Sequence, residues 1–329
     1  MSDRTLIVGA GPIGLACGLS AKRHGLDPVI IDAGCIVNSI RHYPVAMTFF
    51  TTPELLEIGN HPLVCSGAKP TREEALKYYR GIVRTENLNV RSYTRLVSAT
   101  RHADAIRCTV ETRSGTEDIE CDRLVLATGY YDNPNTLGVP GEDLPHVSKY
   151  FDEAHPWYER DVVVIGGRNS AVEAALELYR AGARTTLVYR GMSFPSSVKY
   201  WMKPDIENRV AAGQITAYLG AVVERIDRDA VAVRTSTDRT ARIHADRVYA
   251  LIGYHPDLDL FGRMGIAIDE QTGRPAIDPD TLETNVPGIH MAGSISAGYA
   301  ISNIFIENGR FDGEKIFGRQ PSRIAEGEY

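Results

Sequence analysis

A chain of 329 residues has room for about two domains of ordinary size, which excludes a small scaffold held together by staples. Its 36 Lys and Arg stand against 42 Asp and Glu, a formal charge of −6 without a long basic run, so nucleic acid and anionic membrane are excluded as natural partners. Five cysteines, an odd number with no C-x-x-C spacing, exclude a disulfide framework and a zinc site and point to a reducing cytoplasm.

In chain order, Thr5 to Val8 reads as a buried strand, Pro12 to His24 as a helix and Pro28 to Ile31 as a second strand ending at Asp32. The uncharged stretch Leu6 to Ala21 is open to misreading as a secretory h-region, but it carries spaced glycines and Pro12, follows Asp3 and Arg4, and is also too short to span a bilayer. Arg72 to Glu86 reads as an amphipathic helix. Arg95 to Thr100, Ala105 to Thr112 and Glu117 to Ala127 read as a meander of strands. A crossing rich in Pro, Gly and Asn follows from Tyr130 to Pro145. A second strand, helix and strand then occupy Asp161 to Ile165, Asn169 to Ala181 and Arg184 to Tyr189. Leu251 to Pro256 is a second crossing, after which Ile289 to Gly293 reads as a short strand and about Ala300 to Phe317 as a final helix. The expected class is α/β, with two Rossmann-like three-layer dinucleotide-binding domains, one inserted into the other: 1–132 and 254–329 form the outer domain and 133–253 the inner.

The first turn, Gly9-Ala10-Gly11-Pro12-Ile13-Gly14, follows a strand and opens a helix. Its first glycine permits the tight turn, the second lets a pyrophosphate approach the backbone, and the third lets helix and strand pack closely. The helix N-terminus then faces the phosphates, and Asp32 is placed to bind a ribose hydroxyl. A shift of 157 residues lays Gly9 on Gly166, Gly14 on Ala171 and Asp32 on Tyr189, a duplication of architecture. In this second copy Arg168 takes the place of the middle glycine, and it either donates to cofactor phosphates or points to solvent. At the next strand end Tyr189-Arg190 replaces the acid. A carboxylate there would repel a 2′-phosphate and Arg190 would attract it, which favours NADPH over NADH. Lys199 either adds positive charge or is a solvated surface lysine, and Glu173 is either a pocket-wall carboxylate or an ordinary helix residue.

Two nucleotide sites in one chain imply electron transfer between two cofactors, and nicotinamide hydride chemistry pairs naturally with a flavin. Leu124-Val125-Leu126-Ala127-Thr128-Gly129 and Met291-Ala292-Gly293-Ser294 each end a strand in a tight turn, as in two-dinucleotide flavoproteins. The chain resembles the low-molecular-weight thioredoxin reductase superfamily and, within it, the bacillithiol disulfide reductase family. Four stretches carry the resemblance: Val37-Asn38-Ser39-Ile40 with Tyr43-Pro44, Thr48-Phe49-Phe50 and Leu56-Glu57-Ile58-Gly59; Ala127 through Pro134; Ile165 through Ala171; and Ile304 through Arg310. The resemblance implies that NADPH reduces FAD, which in turn reduces a low-molecular-weight disulfide, and that the protein is a cytoplasmic homo-oligomer. It also implies crossings near Gly129 and Gly253 that act as hinges.

On these grounds the cofactor-binding set is Gly9, Gly11, Pro12, Ile13, Gly14, Asp32, Ala33, Tyr43, Thr48, Val97, Ala127, Thr128, Gly129, Gly166, Arg168, Asn169, Ser170, Tyr189, Arg190, Lys199, Gly253, Gly293, Ser294, Ala300 and Ile301. No metal site is expected.

One departure matters. Where the family resembled carries a cysteine used in thiol exchange, this chain has Ile13, which cannot form a mixed disulfide. Cys17, one helical turn on, is the remaining candidate on that face; its other reading, a small residue packed on the sheet, also stands. Cys35, Cys108 and Cys121 read as structural, and Cys65 lies in an irregular segment. His42 shares the flavin-proximal segment with Tyr43 and Thr48; His155 reads as a cap or hinge residue, and Glu307 as a helix-face carboxylate. Two alternatives remain: a flavoprotein serving a quinone, ferredoxin or oxygen, and a non-catalytic flavin redox sensor.

Overall fold

The computed structural model describes residues 4–300 and 303–318. Contacts divide the chain into two units. One comprises residues up to Arg41, Met47–Asn133 and the chain from His255; the other comprises His42–Ala46 and Pro134–Tyr254. Both crossings thus divide one residue later than expected, and His42–Ala46 groups with the second unit.

The first unit opens with β1 (Thr5–Val8), α1 (Pro12–Arg23) and β2 (Val29–Asp32). After α2 (Arg72–Thr85) come β3 (Asn89–Ser92), β4 (Arg95–Arg101), β5 (Ile106–Thr112), β6 (Gly115–Cys121) and β7 (Arg123–Leu126). Helix α2 begins at a reciprocal cap: Thr71 Oγ1 accepts Glu74 N–H while the Glu74 carboxylate accepts Thr71 N–H. Bonds from Thr71 and Ser66 hold the Glu74 carboxyl down at about 2.

The stretch expected as one strand, Glu117 to Ala127, is two. Cys121 closes the antiparallel pairing of β6 with β5, and Arg123 opens the parallel pairing of β7 with β1. A single straight strand cannot serve both ladders. Asp122 makes the turn between them, its carboxylate accepting both the backbone N–H and the guanidinium of Arg4.

The second unit contains β8 (Val147–Ser148), β9 (Asp161–Ile165), α3 (Asn169–Arg180), β10 (Arg184–Tyr189), α4 (Lys203–Ala211), β11 (Thr216–Leu219), β12 (Val222–Ile226), β13 (Ala230–Arg234), β14 (Thr240–His244) and β15 (Arg247–Ala250). The chain then returns to the first unit for β16 (Ile289–Met291).

The units repeat one plan. In the first, a parallel sheet of order β16-β7-β1-β2-β3 carries the antiparallel meander β4-β5-β6; in the second, a parallel sheet of order β11-β10-β9-β15-β8 carries β12-β13-β14. The central strands β1 and β9 are covered on both faces, which is why they carry the uninterrupted apolar runs Leu6–Val8 and Val162–Ile165. Val162, Val164 and Leu187 pack with α3, whereas Val163, Ile165 and Val188 pack on the second meander. In the first unit Leu6, Val8 and Ile31 pack with Leu96, Ile106 and Val110 of its meander. Among the described residues no helix is long and apolar enough to cross a membrane.

The final helix expected over Ala300 to Phe317 is instead two short helices, Ile306–Gly309 and Asp312–Phe317. Before the first, Asn308 closes a turn, accepting Phe305 N–H and donating to Asn303 O. Between the two, the Arg310 guanidinium donates to the carbonyls of Glu54 and Glu57. These side-chain bonds flank the first short helix at its two ends. Ile301 lies outside the described residues.

Candidate dinucleotide sites and their chemistry

The two glycine turns superpose in their hydrogen bonds as well as in sequence. Gly9 N–H donates to Ile31 O at 2.7 Å and Gly166 N–H to Val188 O at 2.9 Å; Ala127 N–H donates to Val8 O and Leu251 N–H to Ile165 O, both at 2.8 Å. Both first glycines have positive φ, +111° and +135°. A Cβ on Gly9 would stand 2.3 Å from Ala127 O, and one on Gly166 2.4 Å from Leu251 O. Glycine is obligatory at each by conformation and by space.

In the first turn a Cβ on Gly14 would stand 1.8 Å from Gly9 O, whereas nothing lies within 4 Å of where a Gly11 Cβ would be. One glycine serves helix packing and the other leaves an open approach to the backbone. Asp32 ends β2 and accepts Ala10 N–H and Gly34 N–H, each at 2.7 Å. Burial raises its carboxyl above the ordinary value, and the two N–H donors pull the other way. Val97 sits where the β4–β5 register slips between Leu96 and Ser98, so its main chain is outside the regular ladder.

At the same carboxyl edge of the sheet, just past the end of β7, Thr128 Oγ1 is buried with no hydrogen-bond partner among the described residues, and Gly129 turns at φ +67° with open space beyond its Cα. Gly293, φ +77°, donates its N–H to the buried Asp312 carboxylate at 2.8 Å. A bare pyrophosphate-facing backbone, a ribose carboxylate and an orphaned hydroxyl at the strand end fit FAD. Ala33 is exposed beside Asp32, Ser294 and Ala300 are half-buried, and Thr48 is exposed, bridged to Thr71. Tyr43 groups by contacts with the second unit, where the His42 and Tyr150 rings lie tilted with centres 6.1 Å apart and Val45 N–H donates to Asp152 O. Tyr43 itself is half-buried.

In the second turn Ala171 replaces the packing glycine, its Cβ 2.9 Å from where a Gly166 Cβ would be. Gly167 is bare for another reason: a Cβ there would stand 2.4 Å from the Tyr189 ring. Arg168 is exposed at the N-cap of α3 and makes no side-chain capping bond. Ser170 and Arg190 are exposed and Lys199 half-exposed. Three cations thus stand at the carboxyl edge of this sheet, where open α/β sheets bind their ligands, and a phosphorylated nucleotide fits them. Glu173 is exposed; crowding by neighbouring chain raises its carboxyl and the Lys199 charge opposes this. Gly253 turns at φ +98°.

Cys17 does not present its thiol at the surface. It is wholly buried on α1 against Gly313, and burial together with the Asp312 charge pushes its thiol up, away from the reactive thiolate. Cys108 and Cys121 are buried with sulfurs 3.9 Å apart. Cys35 and Cys65 are half-exposed, so in the native protein an alkylating reagent is expected to label these two and spare the other three, read by peptide mass. Cys17→Ala is expected to change turnover less than about twofold, since only packing is altered; a larger loss with unchanged stability contradicts the structural role.

Ile13 is half-buried, and a Cβ on Gly293 or Gly309 would lie 3.2 or 3.0 Å from its side chain. His155 is exposed in a short 3-10 turn and Glu307 is half-buried. Two features were missed in sequence because no motif marks them: the Asp312 anchor of Gly293 and the Arg310 clamp. Asp161, His244 and Asp246 also bring ligand-type atoms within 4.8 Å of one another, but Arg184 holds the Asp161 carboxylate and Asp161 N–H donates to Asp246.

Comparison with known proteins agrees with this geometry. Residues 6–293 match the family model "Pyridine nucleotide-disulphide oxidoreductase". The chain is 42% identical to "Bacilliredoxin reductase Bdr" of Bacillus subtilis over 96% of its length and 97% of that protein's. The structure of "Bacillithiol Disulfide Reductase Bdr (YpdA) from Bacillus cereus" is similar at a TM-score of 0.93 and 43% identity, over 97% of this chain and 98% of that one. A "Ferredoxin--NADP reductase" of Ignicoccus hospitalis is 28% identical over 88% of this chain and 89% of that protein. The chain belongs to the pyridine nucleotide-disulphide oxidoreductase family, with bacilliredoxin and bacillithiol disulfide reductases as full-length relatives, and it is a flavin-dependent oxidoreductase using FAD and NADPH.

Proposed function

We propose that the chain reduces a low-molecular-weight disulfide of the bacillithiol disulfide class, with NADPH as donor. One observation carries this reading: a single polypeptide holds two glycine-turn sites of opposite ribose chemistry, Asp32 at the first and Tyr189-Arg190 at the second, without a C-x-x-C pair to pass electrons to a protein disulfide. The names of the full-length relatives support the disulfide class. The bound cofactors supply hydride transfer from nicotinamide to flavin and two-electron reduction of the acceptor.

The chain's own residues bind and orient. The Gly9–Gly14 turn and the N-terminus of α1 receive the FAD pyrophosphate, and Asp32 takes the adenosine ribose with Ala33 and Val97 alongside. Thr128, Gly129, Gly293, Ser294 and Ala300 border the flavin end. Gly166, Arg168, Ser170, Tyr189, Arg190 and Lys199 hold NADPH, with cations toward its phosphates. Homo-oligomerisation and a cytoplasmic setting belong to the same proposal.

Ile13 favours a second reading, an acceptor reduced without thiol exchange, such as a ferredoxin, a quinone or oxygen. The test is anaerobic reduction of the holoprotein by NADPH, then addition of each acceptor. Bleaching of the flavin followed by reoxidation with bacillithiol disulfide, two thiols appearing per NADPH, is expected. Reoxidation by quinone or ferredoxin with none by the disulfide moves the assignment to the second reading, and absence of bleaching overturns both.

A further inference from the structure

The N-terminus of α3 carries an interaction that the glycine turn does not require. Both ends of the Asn169 carboxamide engage the loop after β10: Nδ2 donates to Ser197 O at 3.2 Å, and Oδ1 accepts Lys199 N–H at 2.9 Å. That loop is sunk into the core at Phe194, Val198 and Met202. It then winds into α4 through a turn in which the N–H groups of Met202 and Lys203 donate to Lys199 O at 2.9 and 3.0 Å. The main chain of Lys199 is thus held from both sides. Its ammonium lies 5.3 Å from the centre of the Trp201 ring.

We propose that Asn169 is a positioning residue: it latches the Ser197–Lys199 loop to the start of α3 and so holds Lys199 as a second cation, with Arg190, for the 2′-phosphate of NADPH. This rests on the NADPH reading above. Lys199 follows β10, the strand whose end replaces Asp32 of the first copy, so its charge belongs at the ribose rather than at the pyrophosphate. A lysine on a free loop loses conformational freedom when it meets a phosphate, and a latched main chain has lost part of that freedom beforehand. The residue type is also suited. A neutral carboxamide donates to one carbonyl and accepts one N–H without placing negative charge where the phosphate arrives, whereas Asp accepts but cannot donate.

The experiment titrates the holoprotein calorimetrically with 2′,5′-ADP and with 5′-ADP. The wild type is expected to bind 2′,5′-ADP at least about tenfold more tightly. Asn169→Ala and Lys199→Ala are each expected to weaken 2′,5′-ADP about tenfold and 5′-ADP less than about twofold, and the double variant is expected to be no weaker than Lys199→Ala alone. Asn169→Asp keeps the shape and loses the donor, and it is expected to weaken 2′,5′-ADP at least as much; it decides the matter if the Ala variant is unstable. Equal weakening of both ligands by Asn169→Ala, or multiplying losses in the double variant, overturns the latch. A wild type that does not distinguish the two ligands overturns the NADPH reading itself, and the latch with it.

Discussion

Arg190→Ala is expected to raise the Kd for NADPH about 100-fold and that for NADH less than about threefold, because a charge-assisted pair with the 2′-phosphate contributes on the order of 2–3 kcal/mol. Arg190 is exposed at the end of β10, so its removal leaves the core intact and the loss is one of recognition. Equilibrium titration of the two coenzymes reads it. The counterpart in the first turn explains the asymmetry: on the duplicated plan Asp32 falls on Tyr189, the residue before Arg190, and a carboxylate at that strand end would repel a phosphate. Equal losses for both coenzymes remove the basis for assigning the second unit to NADPH.

Gly14→Ala is expected to give protein that purifies without FAD and melts several degrees lower. The new Cβ would stand 1.8 Å from the Gly9 carbonyl oxygen, and neither backbone can yield without opening the turn that receives the pyrophosphate. Overpacking of this kind costs about 1–3 kcal/mol or more, and here the displaced element is the binding surface. The reciprocal change, Ala171→Gly, is expected to cost only about 1 kcal/mol, the helix penalty of glycine, with NADPH binding retained. Flavin absorbance per polypeptide and thermal melts check both. A Gly14→Ala protein with full flavin content contradicts the turn's role.

Much of the fold is legible in the sequence wherever local pattern and buried environment agree. Thr5–Val8 and Asp161–Ile165 are covered on both faces, so an uninterrupted apolar run identified each as a strand. The turns that follow are marked by glycines that space and φ both require. The opposition of Asp32 and Tyr189-Arg190 was equally plain, since it depends only on residue type at a strand end.

Two of the misreadings involve bonds between residues remote in sequence. The break at Asp122 is made by Arg4, 118 residues away, and the Arg310 clamp, part of the interrupted end of the chain, reaches Glu54 across 256 residues. Neither leaves a periodic trace. Cys17 shared a helical face with Ile13, but its inertness comes from the later chain at Asp312 and Gly313 closing over it.

The sequence by itself determined the duplicated nucleotide-binding plan and the charge that distinguishes one ribose site from the other, because both follow from local spacing and residue type. Only the tertiary structure decided which thiols are out of reach, where the strands and the last helices break, and that Asn169 binds a loop of its own chain, because each of these depends on which distant atom arrives within hydrogen-bonding or van der Waals distance.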